Sequence, residues 1–119
     1  MSAGTTYSAI IGNVIKQLRD AKSFKQGDLA EKMGVSQAAW SKLESGKSTL
    51  STAQLAKVAD LLEIKANEII RYADKAAEKF RAEGMTVTYD NKEAEFTGLM
   101  LLGAAAIGAL IALIVFSKK

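Results

Sequence analysis

Apolar residues recur along the first two thirds of the chain at helical spacing, every third or fourth position. Ile11, Val14, Ile15 and Leu18 mark one face of a first helix over about 8–21. Leu29, Ala30 and Met33 mark a short second helix that stops at Gly34, a residue suited to a left-handed C-terminal turn. Ser36 is placed to cap a third helix that runs to Glu44 and ends at Gly46. Ser51 and Gln54 form a capping box ahead of Leu55, Val58, Ala59 and Leu62, the stripe of a fourth helix. Ile69, Ala73, Ala76 and Phe80 carry a fifth helix over about 66–83, closed by Gly84. Met1 to Thr6 has no periodicity and reads as a loose start. Met85 to Phe96 has strand-like residues but no evident sheet to join, so it reads as an extended linker.

The pattern changes at Thr97. From there to Phe116 the chain reads TGLMLLGAAAIGALIALIVF, twenty residues without a charge. A helix of that length spans ~30 Å, the thickness of a bilayer's hydrocarbon core. A helix is the one conformation in which such a segment satisfies its own backbone groups in lipid. A buried core helix is the alternative, but 95 preceding residues offer little surface to wrap it on every side. The expected organisation is a helical domain over 1–84, a linker over 85–96, a single transmembrane helix over 97–116 and a short tail over 117–119. Ala104, Gly108 and Ala112 place small side chains on one face of that span, a pattern that lets two membrane helices pack closely. Lys75, Lys79, Arg81 and Lys92 precede the span and Lys118 and Lys119 follow it, a mild bias that puts the N-terminal part in the cytoplasm. A bacterial inner membrane is the expected location.

Charge sharpens the division. Residues 1–57 carry eight Lys/Arg against four Asp/Glu, and residues 58–95 carry six against nine. The basic first half suits a phosphate-bearing partner, while Asp90, Glu93 and Glu95 make the linker repel both DNA and anionic lipid. The chain has no Cys and no His, so it lacks a disulfide framework, the usual zinc ligands and an imidazole base. Most hydrolase and redox chemistries lose their usual residues; the chain is not expected to be an enzyme or to need a metal or cofactor.

Between the second and third helices the spacing is specific. Counting from Gln26, Ala30 falls fifth, Gly34 ninth, Trp40 fifteenth and Leu43 eighteenth. A small residue at 30 lets the helices cross closely, Gly34 makes the turn, and Leu29, Met33, Val35, Trp40 and Leu43 fill the space between. That is a helix-turn-helix pattern. The segment QGDLAEKMGVSQAAWSKLESGK resembles the Cro and phage-repressor family, also called XRE-like, and the resemblance extends over about residues 10–70. It implies an all-α, five-helix repressor-like domain. Trp40 departs from the family's usual Ile or Val, Lys25 from its Ser/Thr cap, and Leu50 from a common Pro.

With Ser36 as cap, Gln37 and Ser41 stack on one line of the third helix and Ala38 and Lys42 on the next. This outward strip fits a major groove, where Gln bonds adenine, Lys reaches guanine acceptors and Ala touches a thymine methyl. By resemblance, Gln37, Ala38 and Lys42 fall where the family contacts bases. By the same resemblance, Gln26, Ser36, Lys47 and Ser48 are expected to face phosphates and fix register without reading sequence. The resemblance also implies a structural ion pair between Arg19 and Glu44. Two uses of the domain remain open at this point. One is a membrane-anchored, sequence-specific regulator of transcription that binds double-stranded DNA as a homodimer. The other is a membrane-anchored adaptor that uses the same fold to hold a cytoplasmic protein partner.

Overall fold

A computed structural model of the chain describes residues 3–89, 100–101 and 104–116. The element order is β1 (Ala3–Thr6), α1 (Tyr7–Ala21), α2 (Gln26–Met33), α3 (Gln37–Ser45), α4 (Thr52–Leu61), α5 (Ala66–Ala82), β2 (Thr86–Thr88), β3 (Met100–Leu101) and α6 (Ala104–Val115). The first five helices begin and end within about a residue of the positions their caps and stripes indicate. Thr6, Ser36 and Ser51 each accept a hydrogen bond from the backbone three residues on, at 3.0–3.1 Å. At Ser51 the reciprocal bond from its own N–H to Gln54 Oε1, 2.9 Å, completes the capping box. Lys25 gives α2 no side-chain cap.

One core joins these helices. Ile10, Val14, Ile15, Leu29, Trp40, Val58, Ile69 and Phe80 are all essentially inaccessible to solvent. Tyr7, at the start of α1, donates from its hydroxyl to Asp74 Oδ1 of α5 at 2.7 Å. Burial, then the hydrogen bond and charge of Asp74, push the Tyr7 phenol well above its ordinary range. At Gly12, α1 lies close against the last turn of α3. A Cβ there would collide with the carbonyl oxygens of Leu43 and Glu44.

Three features differ from what the hydrophobic pattern implies. The fold is mostly helical but not all-α, because Ala3–Thr6 is a strand and not a loose start. It forms the middle of a three-stranded parallel sheet of order β2-β1-β3, with Thr5 opposite Val87 and Gly4 opposite Leu101. The strand-like stretch after Gly84 therefore has a partner, at the other end of the sequence. Residues 86–88 pair instead of linking, and residues 90–96 of the expected linker lie outside the described residues. Gly4, Thr5 and Thr6 are buried by this pairing.

The apolar C-terminal run is not one continuous helix over 97–116. Met100 and Leu101 pair with Ala3 and Gly4, and the helix begins only at Ala104. Among the described residues no helix is long and apolar enough to cross a membrane. The twelve residues of α6 reach ~18 Å, little more than half of the ~30 Å hydrocarbon core. α6 packs chiefly on α1 and also on α5, and buries Ile107, Ile111 and Val115.

The glycines give a direct check on this packing. Gly12→Ala forces the α1–α3 contact apart and should cost about 1–3 kcal/mol of unfolding free energy, as other overpacked sites do. Gly34 has a positive φ of 77° but open space around its Cβ position. Gly34→Ala should cost only the left-handed backbone penalty, about 1–2 kcal/mol. Urea midpoints of the two variants check this, with Gly12→Ala expected to unfold at the lower concentration.

Candidate nucleic-acid interface

The α2–α3 pair is built around a turn at Gly34, Val35 and Ser36. Gly34 adopts the left-handed conformation and its N–H returns to the Glu31 carbonyl at 3.0 Å, while Val35 N–H reaches Ala30 at 3.0 Å. Ala30, Met33, Trp40 and Leu43 are buried where the helices cross. The opposite side of α3 is open: Gln37, Ala38, Ser41 and Lys42 are all exposed. Lys25, Lys32 and Lys47 are exposed on the same unit, as are Asp28 and Glu31 of α2.

What holds the unit to α1 is a buried carboxylate. Glu44, 4% exposed, accepts four hydrogen bonds. Arg19 Nε donates to Oε2 at 2.7 Å and Arg19 Nη2 to Oε1 at 3.1 Å. Gln26 Nε2 donates to Oε1 at 3.0 Å, and Trp40 Nε1 to Oε2 at 2.7 Å. Arg19 in turn donates from Nη1 to the Phe24 carbonyl at 2.8 Å. Three helices thus meet on one anion. Both carboxylate oxygens have two donors each, which meets the requirement that a buried charge be paired and fully hydrogen-bonded.

This cluster refines the roles of several residues. Gln26 is half-buried and already spends one amide hydrogen on Glu44, so only its second one is available to a phosphate. Ser36 is exposed but its oxygen accepts from Ala39 N–H, leaving its hydroxyl hydrogen to donate outward. Ser48 is half-buried, its N–H bound to the Lys42 carbonyl at 3.2 Å, whereas the Lys47 side chain is exposed. Gln37 folds back over the start of α2, its Oε1 3.1 Å from where a Cβ of Gly27 would lie. Gly27 therefore makes room for the proposed reading residue. Neither it nor the Trp40 N–H was legible as part of the site. A Gly at the second position of a helix, where propensity disfavours it, was the available hint for the former.

The small-residue face of the C-terminal segment does not stand free for another membrane helix. Gly108 lies against α1, its Cβ position 3.5 Å from the carboxamides of Asn13 and Gln17, and Ala112 is half-buried. The Ala104 side chain lies outside the described residues. Small side chains there let α6 approach α1 of its own chain.

Residues 15–69, just under half of the chain, match the family described as helix-turn-helix. No curated protein and no solved structure matches the chain. The matched residues begin within α1 and end within α5, and they contain the whole α2–α3 unit and its Glu44 cluster. Residues 15–69 therefore hold a helix-turn-helix, as that match describes it.

Removing one member of the cluster should be more damaging than its surface area suggests. Glu44→Ala leaves the buried Arg19 guanidinium with only the exposed Asp20 carboxylate, 3.2 Å from Nη1, and strands the Trp40 N–H; it should cost about 3–5 kcal/mol. Trp40→Phe keeps a ring in the core but removes one donor, and should cost about 1–3 kcal/mol. Denaturant unfolding of the two variants checks the order, which reverses if Glu44 is not the hub.

Proposed function

We propose that the chain is a sequence-specific DNA-binding regulator of transcription that lays α3 in the major groove. The observation that carries this reading is the exposed strip of Gln37, Ala38, Ser41 and Lys42 on a helix whose other side is fixed by the Glu44 cluster. A rigid rod with short polar side chains outward suits direct readout. In this reading the Gln37 carboxamide reads adenine, Lys42 reaches guanine acceptors and Ala38 meets a thymine methyl. Gln26, Ser36, Lys47 and Ser48 hold phosphates on either side. One such module makes few phosphate contacts, so the working form is a dimer on two half-sites about one helical turn apart.

The same proposal places the domain at a membrane, on the cytoplasmic side of a bacterial inner membrane. Its support is the uncharged run over 97–116, with Lys75, Lys79, Arg81 and Lys92 before it against Lys118 and Lys119 after it. Anchoring would restrict the regulator to DNA close to that surface.

Electrophoretic shifts of the full chain on selected duplexes, measured over a range of salt, test the DNA reading. Lys47→Ala should weaken binding to all sequences alike and lower the salt slope by about one. Gln37→Ala should cost about 1–3 kcal/mol at one base position and relax preference there. Retention of full preference by a chain carrying both Gln37→Ala and Lys42→Ala would remove α3 from the groove and favour a protein partner.

A further inference from the structure

α6 is an uncharged helix resting in a seat that is only partly apolar. Its inner side buries Ile107, Ile111 and Val115, but Gly108 meets the amides of Asn13 and Gln17, and Gln17 Nε2 donates to the Gly108 carbonyl at 3.3 Å. Its outer side is bare. Leu113 is 71% exposed and Phe116 49%, and with exposed Ala109 they form one line along the helix. Beside that line, Lys75 and Lys79 of α5 share a groove with Ile114, in which Glu78 is the acidic member. Lys118 and Lys119 follow in the sequence. An apolar strip bordered by cations matches a bilayer surface with anionic headgroups. A second copy of the chain is a poorer match. A stable pair buries roughly 800 Å² per partner. One face of a helix this short offers on the order of 200 Å².

We propose that the Ala109–Leu113–Phe116 strip is a lipid-docking surface, and that the Asn13–Gln17 seat competes with the bilayer for α6. The inference rests on the membrane reading above and adds the contact that opposes it. Seated, α6 keeps Ala109, Leu113 and Phe116 in water; in lipid these are covered as well. The latch is the seat as a whole: the burial of Ile107, Ile111 and Val115 together with the bond from Gln17 to the Gly108 carbonyl.

The chain contains no Cys, so an engineered pair is its sole possible disulfide. A Cβ at 108 lies 3.5 Å from the Asn13 carboxamide, so the two positions face each other and Asn13→Cys with Gly108→Cys is the pair to cross-link. The full-length double variant is floated with vesicles of phosphatidylcholine and phosphatidylglycerol, oxidised and then reduced. Reduced protein should float; oxidised protein should float about tenfold less and recover on reduction, with circular dichroism confirming that both forms are folded. As a second variant, Leu113→Glu changes a side chain that points to solvent and should lower flotation about tenfold without unfolding the domain. Equal flotation of oxidised and reduced protein overturns the latch but leaves the anchor reading intact. Absence of flotation in the wild-type chain overturns both. A lipid-free dimer that Leu113→Glu dissociates makes a second copy the occupant of the strip and overturns the lipid assignment.

Discussion

A carboxylate buried between three helices governs the arrangement of this domain. Glu44 cannot be taken out of water without donors for both of its oxygens, and the donors come from different elements: Arg19 from α1, Gln26 from α2, Trp40 from its own helix one turn back. Each donor has a fixed reach, so satisfying all of them leaves little freedom in how α2 and α3 sit on α1. Gly12 closes the same joint from the backbone side, since only a residue without a side chain lets α1 touch the last carbonyls of α3. The outward strip of α3 is therefore presented by a rigid support, and any groove it enters meets side chains at set positions. Trp40, unusual for the family the segment resembles, fits this picture because its ring fills the core and its N–H completes the shell around Glu44.

Much of the helical domain was legible in the sequence because its signals are local. Ser36, Ser51 and Gln54 announce helix starts, Gly34, Gly46 and Gly84 announce ends, and the apolar stripes define which face is buried. The turn spacing from Gln26 to Leu43 was legible for the same reason. What was missed is non-local. Ala3–Thr6 is four residues long with no alternating pattern, and its partners lie more than eighty positions away, so neither strand identified the other. The tight approaches at Gly12 and Gly27 depend on which helix crosses there, and a glycine within a helix does not name its neighbour. Gln26 read as a surface residue facing phosphate, whereas the position of Glu44 draws its amide inward. The exposed side of α3 and the Arg19–Glu44 pair were legible in the sequence, but the further donors to Glu44 from Gln26 and Trp40 were not.

The C-terminal segment shows how one composition admits two environments. Its lack of charge satisfies the requirement for lipid, and the same lack of charge lets it lie in the groove between α1 and α5. The expectation that the domain is too small to wrap such a helix holds in part, for α6 is covered on one side and open on the other. On α1, the residues that meet α3 and those that meet α6 are different: Gly12 and Arg19 face the former, Asn13 and Gln17 the latter. α1 thus separates the two surfaces. An occupant of the α6 side need not obstruct a duplex at α3, so attachment and reading can coexist.

A residue-resolved amide titration of the full chain with duplex DNA tests the central claim most directly. The account predicts shifts concentrated at Gln26, Gln37, Ala38, Ser41, Lys42 and Lys47, with Arg19 and the core of α1 unmoved. Shifts confined to other surfaces, or none at all as duplex is added, would contradict it.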